Sequence, residues 1–96
     1  MDRAQKPVAS PDAVLREEFD DWAVLFNPDT ADAVGLNPVG AAVWKQLDGA
    51  RTLDEVIASV QVQFADVPGT VAEEITQFVE SLAERGFVSS DTAGGS

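Results

Sequence analysis

The 96-residue sequence contains no cysteine, no histidine and no tyrosine, and only one methionine. Without cysteine there is no disulfide, no thiolate nucleophile and no cysteine-ligated metal. Without histidine the usual proton shuttle near neutral pH is missing, and Lys45 is the single lysine in the patterned part of the chain. Basic residues are scarce too: six Lys and Arg stand against seventeen Asp and Glu, a formal net charge of -11. Such a chain repels phosphate backbones and anionic lipid heads, so neither nucleic acid nor membrane is an expected partner. No apolar run approaches the ~20 residues of a membrane span, and no signal peptide is visible at Met1. A cytoplasmic location is the expectation.

What remains supports one domain with a single modest core. The pivot is Val34 to Gly49, where a strand-like run passes directly into a helix. Asn37 is an N-cap, its side-chain oxygen placed to accept a free N–H of the first turn, and Pro38 follows where a missing N–H costs nothing. Val39, Val43, Trp44 and Leu47 form one apolar face, and Gly49 suits a left-handed closure, so the helix is expected from Pro38 to about Asp48.

Upstream the pattern is β. Leu15 and Phe19 alternate with Arg16 and Glu18, Asp20-Asp21 offers a turn, and Trp22, Val24 and Phe26 share one face of a second strand with Ala23 and Leu25 on the other. That strand is expected to be covered on both sides. Asn27-Pro28-Asp29-Thr30 has type I turn chemistry and leads into a third strand, Ala31 to Leu36. Asp32, Val34 and Leu36 lie on one of its faces; Ala31, Ala33 and Gly35 leave the other nearly bare. Small residues there suit packing under a helix, and equally an edge strand that accepts a peptide strand by β-augmentation.

Downstream the pattern is helical. Thr52-Leu53-Asp54-Glu55 is a capping box opening a helix with Leu53, Val56, Ile57, Val60 and Phe64 on one face. Thr70-Val71-Ala72-Glu73 is read as another, opening a third helix with Val71, Ile75, Phe78, Val79 and Leu82 toward a core and ending at Gly86. One border of that face carries Glu74, Gln77 and Ser81. The other carries Ala72, Thr76, Val79 and Ala83, small enough to wall a groove. Residues 1–12 are expected to be a flexible arm, either mobile or loosely docked, 13–89 the folded domain and 90–96 a disordered tail. The fold class is α+β, a winged-helix-like order of three antiparallel strands and three helices.

The inventory is poor for catalysis. Adjacent carboxylates such as Glu17-Glu18 and Glu73-Glu74 point apart in strands or sit at capping and solvated helix positions, and no calcium-type loop is present. No catalytic residue, metal or cofactor is assigned, and no enzyme activity is expected. A DNA-reading winged helix is excluded by Glu73, Glu74, Glu80 and Glu84 on the third helix, offset only by Arg85. Two alternatives stay open: an acidic winged-helix module for protein interaction, and a small acidic carrier protein, since Glu80-Ser81-Leu82 resembles the Asp-Ser-Leu that bears a prosthetic arm. In carriers that serine opens a helix, whereas Ser81 lies near a helix end.

The runs Leu25-Phe26-Asn27-Pro28-Asp29-Thr30, Leu36-Asn37-Pro38-Val39-Gly40 through Trp44, Leu47-Asp48-Gly49 with Thr52 to Ile57, and Phe78 to Val88 together resemble the PqqD family of small peptide-recognition domains, over residues 13 to 89. The resemblance implies a recognition element of ribosomal peptide natural-product biosynthesis. It would bind the leader of a precursor peptide and present the core to a modifying enzyme, often a radical S-adenosylmethionine enzyme. It further implies that the leader docks as an extra strand on Asp32, Ala33, Val34, Gly35 and Leu36, beside the third helix. The helix-side contacts inferred from the small-sided border are Ala72, Thr76, Val79 and Ala83. A monomer is expected, although an exposed strand also supports a dimer.

Overall fold

The computed structural model describes residues 3–20, 22–64 and 66–91. In chain order the elements are β1 (Lys6–Ala9), β2 (Val14–Glu17), β3 (Ala23–Asn27), β4 (Asp32–Leu36), α1 (Pro38–Lys45), α2 (Leu53–Gln63), α3 (Val71–Glu84) and β5 (Val88–Asp91). Strands β2, β3 and β4 form an antiparallel sheet in that order, and the three helices follow it, as the sequence pattern predicts.

The sheet buries one face. Leu25 pairs with Leu15 on one side and Val34 on the other, and Ala23 with Leu36, so these side chains point together into the core. Leu25, Leu36, Val43, Leu53, Val56, Val60, Val79, Leu82 and Phe87 are sealed from solvent, joining the sheet to all three helices. Expected coverage of both faces does not hold: Val14, Trp22 and Phe26 on the outer side remain 54%, 51% and 41% exposed. The helices all pack on the face carrying Ala23 and Leu25, leaving nothing for the other among the described residues. Trp44, in contrast, is a core residue.

Local boundaries follow backbone needs. The first strand expected through Phe19 stops at Glu17, and Phe19 is 78% exposed in a turn where Asp20 takes φ 58°. Asp21 lies outside the described residues. Ala31 takes φ 60° in the hairpin turn, so the strand begins at Asp32 rather than Ala31. Asn37 caps α1 through a 2.7 Å bond from Gly40 N–H to its Oδ1, and Thr52 and Glu55 form the expected capping box. Thr70 does not: it sits in helical geometry itself and its hydroxyl bonds Glu74, while the Val71 N–H reaches the Pro68 carbonyl. A cap residue needs extended backbone to aim its oxygen at the first turn, which Thr70 lacks.

The main departure concerns the ends. Lys6–Ala9, expected within a flexible arm, is an antiparallel partner of β5, with Val8 opposite Ser89 and Ala9 opposite Val88. Ser90 and Asp91, expected in the tail, belong to β5; residues 92–96 lie outside the described ones. The other edge of β1 is also occupied. Ala9 N–H bonds the Leu47 carbonyl at 2.8 Å, Gly49 N–H the Pro7 carbonyl at 3.2 Å, and Leu53 and Asp54 N–H reach the carbonyls of Gln5 and Arg3. These contacts draw the chain out of helical geometry after Lys45, so α1 ends three residues before Asp48. They also satisfy first-turn N–H groups of α2 that its cap leaves free. Gly49 answers two demands at once: φ is 79°, and an added Cβ would lie 2.8 Å from Val8 Cγ2.

Candidate functional site

Which backbone groups β4 offers to solvent follows from ladder alternation. In an antiparallel sheet, alternate residues of a strand direct both N–H and C=O to the same neighbour. Glu18 N–H bonds the Trp22 carbonyl at 2.7 Å, which turns Trp22, Val24 and Phe26 toward β2 and Ala23, Leu25 and Asn27 toward β4. Their partners Leu36, Val34 and Asp32 therefore face β3, and Ala33 and Gly35 face away from it. Asn37, extended at φ -76° and ψ 175°, continues the alternation, so its N–H emerges on the same open side while its carbonyl accepts from Ala41 N–H. The edge thus presents Ala33, Gly35 and the Asn37 N–H.

Beside the upper end of this edge lies a cleft of about 360 Å³. Its floor is Leu36 with Val39, Gly40 and Val43 from α1; its far wall is Val71, Ile75 and Phe78 from α3, with Val67 and Pro68 closing one end. Glu74 is the one charged residue in this lining. The room comes from glycine: a Cβ on Gly40 would meet Asn37 Oδ1 at 3.3 Å and Phe78 Cζ at 3.5 Å, and one on Gly35 would meet nothing within 4 Å.

At the lower end Arg85, just past α3, reaches across to β4. Its Nε donates to Asp32 Oδ2 at 2.7 Å, and its Nη2 to Asp32 Oδ1 at 2.5 Å and to the Ala33 carbonyl at 3.3 Å. The guanidinium also lies over the buried Phe87 ring, 5.9 Å from its centroid. Hydrogen bonds from Arg85 hold the Asp32 carboxyl below the usual carboxylate range, assisted by the Ala33 N–H, and the same pairing raises Arg85.

Of the residues proposed from sequence, Gly35 and Leu36 line the cleft, Asp32 and Ala33 meet Arg85, and Val34 packs against the core with its backbone turned to β3. Ala72, Thr76, Val79 and Ala83 do not line the cleft. Val79 is sealed in the core, Ala72 and Ala83 pack against it, and the Thr76 hydroxyl donates to the Ala72 carbonyl. At ~100° per residue, Val71, Ile75 and Phe78 form a separate stripe rotated away from that border. The cleft is walled by a different flank of the helix from the small-residue border. The clearance is provided opposite, by Gly40, and the wall itself is large and apolar. Gly40, one turn into a capped helix, is the one sequence feature that marks this clearance; its approach to Phe78 is set by packing.

These features define a class: small α+β domains, winged-helix-like in element order, with an open β-edge beside a helix-walled apolar cleft. The family model described as coenzyme PQQ synthesis protein D (PqqD) matches residues 23–88, from β3 through the start of β5. A "PqqA binding protein" of Stutzerimonas stutzeri (strain A1501) is 32% identical over 65 residues, 68% of this chain and 67% of the relative. Among solved structures, TbiB1 in complex with the TbiA(beta) leader peptide superposes with a TM-score of 0.70 at 23% identity, covering 90% of this chain and 98% of TbiB1. The chain belongs to the PqqD family.

Proposed function

We propose that this protein binds the leader segment of a ribosomally made precursor peptide and presents the rest of that peptide to a modifying enzyme. The carrying observation is the open β4 edge, Gly35 foremost, set against the apolar cleft between α1 and α3. Family membership supports it, as do the binding partner in the name of the Stutzerimonas relative and the peptide complexed with TbiB1. An extended leader adds a strand along β4 through main-chain bonds, and an apolar side chain near its paired segment enters the cleft. Within Asp32 to Leu36, the groups that take the leader are the outward-facing ones of β4, Gly35 foremost. On the helix side Val71, Ile75 and Phe78 take the place of the small-residue border.

The activity is binding rather than catalysis. Held beside the enzyme, the core peptide reacts at a raised effective concentration set by the reach of its linker. By the family resemblance the enzyme served is a radical S-adenosylmethionine enzyme. The acidic surface favours a basic leader or enzyme surface, so added salt is expected to slow association.

The test is titration of isotope-labelled protein with PqqA and with the TbiA(beta) leader as defined probes. Saturable amide shifts at Gly35, Asn37 and Phe78 are expected, and Gly35→Pro, which removes an outward donor while sparing the β3–β4 ladder, should weaken binding about tenfold or more. Unchanged affinity in that variant would exclude strand addition here.

A further inference from the structure

The edge of β4 is not open along its whole length. A strand added at β-sheet spacing lies ~4.8 Å from β4 and must place an N–H about 3 Å from each outward carbonyl it pairs with. At Ala33 that position is taken, because Arg85 Nη2 lies 3.3 Å from the carbonyl oxygen. The guanidinium is itself fixed three ways: by both oxygens of Asp32, by the Ala33 carbonyl and by the ring of Phe87. Asp32 faces β3 in the ladder, so its carboxylate is positioned by the sheet and not by a mobile loop. Two residues on, at the next outward-facing position, Gly35 carries no such obstruction, and space for a Cβ there is empty.

Resting on the leader-binding reading, we propose that Arg85 and Asp32 set the register of the docked peptide. They close β4 at Ala33, so a leader strand pairs with Gly35 and the Asn37 N–H and must turn away before Ala33. The preferred ligand is therefore a peptide with a short extended stretch, anchored by an apolar side chain in the adjoining cleft, and not one that runs the length of the strand. Affinity then depends more on that side chain than on the number of main-chain bonds.

The first measurement uses the free protein. In the wild type the Arg85 Nε–H should exchange with water more slowly than that of exposed Arg16, and Asp32→Ala should abolish the difference. The second adds PqqA and the TbiA(beta) leader. In the wild type, hydrogen exchange should slow at Gly35 and Asn37 but not at Ala33. In Asp32→Ala, and independently in Arg85→Ala, Ala33 should become protected as well, with binding tighter by about threefold or more as further main-chain bonds form. A wild-type protein in which Ala33 gains as much protection on peptide binding as Gly35 overturns the proposal while leaving leader binding intact. So does an Arg85 Nε–H that exchanges as freely as that of Arg16, or weaker binding in both variants. Binding of neither probe by wild type or variants removes the docking edge, and both readings with it.

Discussion

The two ends of this fold treat a β-strand edge in opposite ways. Strand β1 has β5 on one side and the Leu47–Gly49 segment on the other, so its main-chain groups are consumed within the chain. Strand β4 is paired only with β3 among the described residues, and faces an apolar cleft with its other edge. An unpaired edge is a hazard for aggregation, which proteins of this size ordinarily cover. Here the covering material is spent on β1, where pairing also satisfies the start of α2. Of the two outer edges of the three-stranded sheet, β4's is the one beside the cleft, and Arg85 shortens it at Ala33.

Removing residues 1–9 is the most severe way to break that contrast. It strips β5 of its partner and frees the N–H groups of Gly49, Leu53 and Asp54. A loss on the order of 3 kcal/mol or more is expected in urea unfolding.

Proline separates the two sides of β4. Val34→Pro deletes an N–H directed at β3 and should cost about 3 kcal/mol, whereas Gly35→Pro deletes an outward one and should cost far less stability, its effect falling on peptide affinity. Greater destabilisation by Gly35→Pro than by Val34→Pro would show that the ladder assignment is inverted.

A quieter comparison uses alanine at two glycines. Gly49→Ala combines a left-handed backbone with a 2.8 Å approach to Val8 and should cost about 1–3 kcal/mol. Gly35→Ala meets nothing within 4 Å and should change stability by no more than about 0.5 kcal/mol.

The smallest expected effect is on acidification. Arg85 lowers Asp32, the Ala50 and Arg51 N–H groups lower Asp48, and the Thr52 backbone and hydroxyl lower Glu55. Each folded-state value lies below its unfolded one, so the stabilisation is present above the ordinary carboxylate range and is lost as pH falls through the folded values. Thermal melts should therefore decline mildly on acidification into and below that range. In Asp32→Ala the part due to the Arg85 pair should be missing.

Much of this was readable along the chain because the deciding interactions are local. Asn37 caps a helix with its own side chain, Thr52 and Glu55 face one another three residues apart, and period-two and period-3.6 apolar patterns locate β3 and α3. Thr70 shows the limit of the same logic. Its spacing matches Thr52's, but the entering loop gives it helical backbone, so the hydroxyl never faces the free N–H groups.

The candidate site divides along the same line. Strand β4 was recognisable as an edge strand from its small-residue face and position before a capped helix, and the family from the order of short motifs around it. Small size marks Ala72, Thr76, Val79 and Ala83 as a helix wall, but which stripe of α3 meets the cleft depends on how the helix is rotated against α1 and β4. No pattern within α3 states that rotation.

By itself the sequence determined the α+β element order, the capped starts of α1 and α2, the acidic character and the membership of the PqqD family, because each rests on neighbouring residues or on motifs in sequence. Only the tertiary structure decided that Lys6–Ala9 is a strand, that Ala33 and Gly35 face outward, and that Arg85 closes β4 beside Asp32. Those outcomes join residues as far apart as Lys6 and Asp91, or Asp32 and Arg85. A strand with few apolar residues and a charge pair across 53 positions gain their meaning from the partner that packing brings alongside.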